Sequence, residues 1–343
     1  MTLKLNWFIP TKTSGSNKIN FDRVSGSIWI RCLQLIPYFN QMGFDSVINE
    51  LEKETDISIF VRWQTSEAYE TALKQKSKGQ KIIFDLCVNY FDEVHIENLQ
   101  GPVTKSHIND CKKMVSISDV ITCASKYIAS RASQYHPKVE YLPDSIDSKH
   151  FNLTKNILDF QKNKLSAIWS GVAPKSDDLK PIIPILKAND IDLKIISNQK
   201  YRFSRHILRW FKFNRIQNII WSYNTFPSNI LKGEFSVAPR TLSNSYNKGH
   251  SFFKIGVFLS QGIPAIASPV PSYHEVLQND VQGRICENSN EWDKTIQEIK
   301  EDPNILVNWS NKAIKSMQPF HTSQIVKKYS RIFNELKHLS QNI

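Results

Sequence analysis

The chain has 343 residues, too many for one ordinary hydrophobic core, so two domains are expected. A hydrophobic fraction of 41% with plentiful aromatics excludes a disordered protein, and the longest apolar runs fall far short of the ~20 residues that span a bilayer. A formal charge of +12 favours anionic partners: nucleotide diphosphates, an anionic membrane face or nucleic acid. The opening stretch MTLKLNWFIPTKTSGS has too short an apolar core and lacks a small-residue cleavage site, so it does not read as a signal peptide, and a cytoplasmic location is expected. The five cysteines, Cys32, Cys87, Cys111, Cys123 and Cys286, are scattered without CxxC spacing, which fits reduced thiols and argues against structural zinc.

In chain order, KLNWFIP opens as a strand and a polar loop follows from Thr11 to Ser27. IWIRCLQLIPYFNQMG has helical spacing and stops at Gly43. ISIFVRW is a strand, and SEAYETALKQKSKG a helix with Ser66 as N-cap and Gly79 as stop. KIIFDLC, DVITCAS and VEYLP are further strands, and this alternation points to parallel α/β construction. After PDSIDSKHFN the pattern restarts: KLSAIWSG is a strand, and SDDLKPIIPILKAN a helix start capped by Ser176, interrupted by Pro181 and Pro184. IDLKIIS, NIIWS, EFSVAP and finally PAIAS are the remaining strands. The expected units are residues 1–150, 151–318 and a tail of 319–343. In that tail, Ile325, Tyr329, Ile332, Phe333 and Leu336 share one helical face.

The mid-chain restart and four local signatures resemble the glycosyltransferases of the GT-B fold, close to the retaining group called family 4. SDVITCASKYIAS…VEYLPDSID is similar to the end of that family's first domain, with Pro143-Asp144-Ser145-Ile146-Asp147 as its turn. AIWSGVAPKSDDL resembles the first strand and loop of the second domain. EFSVAPR…NKGHSFFKIGVFLSQGIPAIASPVPSYHEVLQNDVQGRICEN resembles the donor-binding segment, and EWDKTIQEIKEDPNILVNWSNKAIK the tail helices. The resemblance covers most of residues 80 to 335. It implies two Rossmann-like, doubly wound parallel-sheet domains facing a cleft, with the last helix packing back on the first domain. It also implies transfer of a sugar, with retention and without a metal, from a nucleotide-sugar donor to a cell-surface glycan or lipid-linked precursor. The nucleotide sugar is then a substrate, and no cofactor is expected.

A donor with two phosphates needs cations and free backbone N–H groups. The loop NSYNKGHSFFK enters a helix, whose first turn offers both unpaired amides and partial positive charge. Gly249 would allow close approach of a phosphate, His250 and Ser251 line the entry with Ser251 as helix cap, and Lys254 matches the lysine that the resemblance places on the diphosphate. Gly171 permits a tight turn after the SAIWS strand, and Lys175 stands near the family's second basic position, although Val172 replaces the arginine usual directly after the glycine. Arg240 follows a strand's C-terminal end, where open α/β sheets bind ligands. The family's paired glutamates would fall on Gly249 and Val257, and valine cannot hold ribose hydroxyls.

On the acceptor side, FDLCVNYFDEVH offers Asp85, Asp92 and His95, with Asp92 a candidate catalytic group beside Lys254 and Lys175; Arg23 and Gly26 lie in the polar loop. Each has a blander reading, as a capping aspartate, a loop charge or a solvated lysine. The run QKYRFSRHILRWFKFNR, 199–215, mixes cations and aromatics in a way that suits an anionic membrane surface; no motif supports nucleic acid. A non-catalytic GT-B partner protein and a GT-B sugar-nucleotide epimerase are the alternatives, the first favoured by Val257.

Overall fold

A computed structural model describes residues 2–10, 20–94, 103–161, 164–200 and 215–341. The β-rich runs assemble into two six-stranded parallel sheets. The first contains β1 (Lys4–Phe8), β2 (Asp45–Ile48), β3 (Ile57–Val61), β4 (Lys81–Leu86), β5 (Val120–Cys123) and β6 (Val139–Tyr141), in the order β2-β1-β3-β4-β5-β6. The second contains β7 (Ser166–Ser170), β8 (Asp192–Ser197), β9 (Ile216–Ile220), β10 (Phe235–Ala238), β11 (Ala265–Ala267) and β12 (Gly283–Ile285), in the order β12-β11-β10-β7-β8-β9. β3 and β7 are buried at every position, the mark of strands covered by helices on both faces. This is the doubly wound, two-sheet GT-B architecture.

In each sheet the chain reverses its direction of winding once. The reversal falls between β1 and β3 in the first sheet and between β7 and β10 in the second. Such switch points open crevices at the C-terminal ends of the strands.

The last helix, Thr322–Gln341, returns to the first domain. Ile325, Val326, Tyr329, Ile332, Phe333 and Leu336 pack into the same core as Trp7 and Phe39. Burying each such side chain contributes roughly 1.5–3 kcal/mol, so this face is sufficient to dock the helix. The return is fixed where the Ile146 N–H donates to Phe320 O (2.9 Å) and the Thr322 N–H to Ile146 O (2.9 Å). The loop before the first helical turn also reaches the other domain: Phe21 stacks on Tyr223 (4.4 Å between centroids) and Asp22 Oδ1 accepts from the Tyr223 N–H (2.6 Å).

Several local expectations change. β2 is an additional strand, and β12 rather than PAIAS is the last. The long helix expected to end at Gly43 is broken into a helical turn at Gly26–Ile28, a π-helical segment at Trp29–Leu33 and a helix at Ile36–Gln41. Pro37 lacks the N–H that would continue the ladder. Gly43 and Gly79 do terminate helices, in the left-handed conformation (φ 88° and 84°). Thr65, not Ser66, is the N-cap of Ser66–Ser77, accepting from the Ala68 N–H. Ser176 caps nothing: it lies inside a 3-10 turn, Ala173–Leu179, and the regular helix starts only at Ile183.

Candidate anion-binding site between the domains

Three strand ends at the two switch points each deliver a cation. Arg62 follows β3, Lys175 lies in the turn after β7, and Arg240 follows β10. The fourth cation, Lys254, comes from the first turn of the helix Phe253–Ser260. Arg62 sits in the left-handed region (φ 52°), a conformation costing a non-glycine residue roughly 1–2 kcal/mol. It is held there by its N–H on Asp85 O (3.0 Å), Nε on Tyr90 Oη (3.2 Å) and Nη1 on Ser27 Oγ (3.1 Å).

The other three crowd together, three cations with Asp178 the acidic group acting on both lysines. Lys254 Nζ is buried and has no hydrogen-bond partner among the described residues; it lies 4.3 Å from the centroid of the Trp169 ring. Arg240 donates from Nη1 to Asn247 Oδ1 (3.0 Å), while its buried Nε has no partner among the described residues. Lys175 Nζ lies 3.3 Å from His250 Nε2. Burial, then the Arg240 and Arg62 cations, push the Lys175 ammonium down to about 7, against the pull of Asp178. Burial and Arg240 likewise hold Lys254 well below the usual lysine range. His250 is held well below its ordinary value by burial and by Lys175, Arg240 and Lys254, so near neutral pH its Nε2 accepts from the lysine.

A buried donor without an acceptor costs roughly 1–3 kcal/mol. Like charges gathered in one enclosure add to that cost. Such an arrangement is stable as an anion site and expensive as anything else.

The expected donor-side residues thus divide. Lys175, Arg240, His250 and Lys254 are brought together. Gly171 adjoins them for a steric reason: a Cβ there would stand 2.6 Å from the Trp169 ring. Gly249 does not leave room for a phosphate. It is buried against the first domain, where a Cβ would meet Asn89 Cβ at 3.1 Å, and its carbonyl accepts from Ser125 Oγ (2.9 Å). Ser251 is no free cap either: its Oγ donates to Asp144 Oδ2 across the domain boundary (2.5 Å), and Phe252 occupies the N-cap position. Val257, where the resemblance expects a glutamate, is 1% exposed and packs in the core with Ile255, Phe258 and Leu259. The departure is therefore a core position and not a gap in an open pocket.

On the acceptor side, Asp85 requires a correction. It is fully buried, and both oxygens are used within the protein: Arg31 Nε and Nη2 donate at 2.9 and 2.6 Å, Thr122 Oγ1 at 2.7 Å and Tyr329 Oη at 2.9 Å. It anchors the C-terminal helix and offers no oxygen to an acceptor. Asp92 lies at the domain boundary, engaged by Arg131 and by Asn89 Nδ2 (2.8 Å). Burial works against its charge, but the bonds from Asn89 and Arg131 hold it below the usual carboxylate range, which suits a fixed anion better than a proton shuttle. Arg23 and Gly26 are exposed on the loop whose Ser27 touches Arg62. His95 and residues 201–214 of the basic run lie outside the described residues. Among the described residues, no three His, Cys, Asp or Glu side chains converge to hold a metal ion, and no helix is long and apolar enough to cross a membrane.

Arg62 and Trp169 were missed in the sequence. Arg62 carried the same signal as Arg240, a cation directly after a strand, but the signal becomes specific only once β3 is known to border a switch point.

No family model and no curated protein matches the sequence. Solved structures do. HepE of Anabaena, in complex with UDP and glucose, superposes with a TM-score of 0.68 at 11% identity, covering 97% of this chain and 99% of that one. Sucrose-phosphate synthase from Thermosynechococcus elongatus gives 0.69 at 11% identity over 98% and 100% of the chains. A glycosyltransferase from Rickettsia africae gives 0.68 at 12% over 98% of both. At such identities the similarity establishes the shared GT-B fold.

Proposed function

We propose that this chain is a glycosyltransferase that moves a sugar from a nucleotide-sugar donor to an acceptor held against the first domain. The observation that carries the reading is the Lys254 ammonium, buried without an acceptor beside Arg240 and Lys175. A diphosphate supplies the missing oxygens and the missing charge in one group. Structures of the same fold bind such molecules: HepE is seen with UDP and with UDP-glucose, and starch synthase IV of Arabidopsis with ADP.

As the bond between sugar and diphosphate breaks, negative charge grows on the departing phosphate. Cations fixed in a water-poor site stabilise that charge without reorganising. Lys254, Arg240 and Lys175 fill this role, and Arg62 closes the site from the acceptor domain. We read the transfer as metal-independent, since side-chain cations supply the counter-charge that a divalent ion gives elsewhere, and as retaining on the sequence resemblance. The acceptor we assign is a cell-surface glycan or its lipid-linked precursor, with the cationic 199–215 run docking on an anionic membrane face.

Thermal unfolding with UDP, ADP and GDP sugars tests the donor. A ligand at 100 times its Kd adds about 2.7 kcal/mol of stability, so one nucleotide should raise the Tm of the wild type by several degrees and that of Lys254→Ala by at most about half as much. Core burial of Val257 favours a second reading, a non-catalytic GT-B partner protein. That reading gains if no nucleotide moves the wild-type Tm.

A further inference from the structure

Trp169 lies on β7, fully buried, two residues before the turn that carries Gly171 and the site. Its indole Nε1 makes no hydrogen bond among the described residues, so packing alone sets the ring's position. One edge of the ring fills the space where Gly171 would carry a side chain, with Cη2 2.6 Å and Cζ2 2.8 Å from an added Cβ. Its face meets Lys254 Nζ at 4.3 Å from the centroid. An ammonium in such surroundings ordinarily pairs with a carboxylate, as Lys155 does with Glu234 elsewhere in this domain (3.2 Å). Lys254 has an aromatic face instead.

We propose that Trp169 is a positioning residue for Lys254, its indole face taking the place of a carboxylate so that the ammonium is held without being neutralised and keeps its N–H donors for a bound phosphate. An aromatic face attracts a cation through the ring quadrupole and carries no net charge. A carboxylate in that place would fix Lys254 equally well but would compete with the ligand. Gly171 is then required because the ring needs its edge room, which joins two separate features of the sequence, the glycine after the strand and the lysine on the helix, into one device. The phosphate rests on the donor reading; the coupling of Trp169 to Lys254 does not.

The charged and titratable groups acting on Lys254 are Arg240 and Lys175, which disfavour its proton, and Asp178, which favours it; His250 is the neutral neighbour. Removing the ring face while keeping these groups should lower the pH at which Lys254 loses its proton. The test is an NMR titration of lysine side-chain carbons in the free protein, with Lys254 assigned from Lys254→Arg. Trp169→Met should move the Lys254 midpoint down, and Trp169→Phe, which keeps a π face, should largely restore it. Calorimetric titration with UDP-glucose and ADP-glucose then reads the consequence: binding about tenfold weaker in Trp169→Met and within about threefold of wild type in Trp169→Phe. If Trp169→Met does not fold, the weaker quadrupole of Trp169→Phe should still give a smaller downward shift relative to wild type. The proposal is overturned if the midpoint stays at its wild-type value in a folded variant, or if the Met and Phe variants shift equally, since the ring is then only filling space. A midpoint that behaves as expected in a protein that binds neither sugar nucleotide upholds the positioning role and sinks the donor reading.

Discussion

Two clusters of buried charge lie in this molecule, and they are built on opposite terms. In the first domain, Arg31 meets Asp85 and Asp144, and its remaining Nη1 contact is Leu142 O (2.6 Å). Both carboxylates and the guanidinium there find hydrogen-bond partners inside the protein. At the domain boundary, Lys175, Arg240 and Lys254 gather with a neutral His250, and two of the buried nitrogens have no acceptor among the described residues. Burial is common to both, so burial does not distinguish a functional charge from a structural one. What distinguishes them is the balance. A satisfied cluster is finished by folding, and on the proposed donor reading the unsatisfied one is finished by a ligand.

Substitution should therefore have opposite signs in the two clusters. Arg31→Met leaves Asp85 and Asp144 buried without counter-charge, and breaking a buried pair in this way costs about 3–5 kcal/mol. Urea unfolding should show that loss. A cost below about 1 kcal/mol would mean that the two aspartates do not depend on Arg31. Lys254→Ala removes a charge that folding leaves unpaired, so the unliganded variant should be as stable as wild type or more so. Its cost should appear in binding instead: a charged hydrogen bond is worth about 1.5–3 kcal/mol, or roughly 10- to 150-fold in the Kd for the sugar nucleotide. Equal losses of stability in both variants would erase the distinction between the clusters.

The same contrast explains what was legible in the sequence. Strands such as ISIFV and SAIWS, buried at every position, and the one-sided face of the C-terminal helix were plain, because periodicity is local. β2 was not: all four of its residues are half-buried, so neither alternation nor a buried run marks it. β12 has three residues and is defined by its pairing with β11. Asp85 looked functional for the same reason Lys254 did, a polar residue near a strand or helix end. Its partners stand 54 and 244 residues away, at Arg31 and Tyr329, and no local pattern reports them. Lys254, Lys175 and Arg240 were legible as cations at suitable places, but their crowding, with more cations than carboxylates, exists only in three dimensions.

Proton linkage sharpens the comparison next. Lys175 gives up its proton at about 7 in the folded protein and at 10.5 when unperturbed. Between those values the unfolded chain binds the extra proton, so this group makes the unliganded protein more stable as pH rises from about 7 to 10.5. A bound diphosphate acts in reverse, because the anion favours the ammonium. Binding should take up a proton above pH 7, and affinity should fall by up to about tenfold per pH unit for one linked proton. Calorimetry with a sugar nucleotide in buffers of different ionisation enthalpy counts that proton directly. Uptake of none at pH 8 would show that Lys175 is not part of the anion site. Arg31→Lys, in the balanced cluster, should leave the count as it is in wild type.

The smallest effect on binding belongs to Gly171→Ala. The backbone there needs no left-handed conformation, so the substitution tests space alone. The added Cβ would overlap the Trp169 ring at 2.6 Å, and a buried indole can yield only by tilting. Ordinary contact at about 3.4 Å needs a shift of about 0.8 Å, which overpacks the surrounding core. It also alters the face presented to Lys254, whose Nζ has no hydrogen-bond partner among the described residues. Sugar-nucleotide affinity should fall by about threefold or more, the lower part of the range for a weakened cation–π contact, with about 1–3 kcal/mol of stability lost to the overpacking. Glycine is then required here through a neighbour two residues away, by the room it leaves and not by any freedom of its own backbone. The same loss of stability with affinity intact would place Gly171 among the packing residues and return Lys254 to holding its own position.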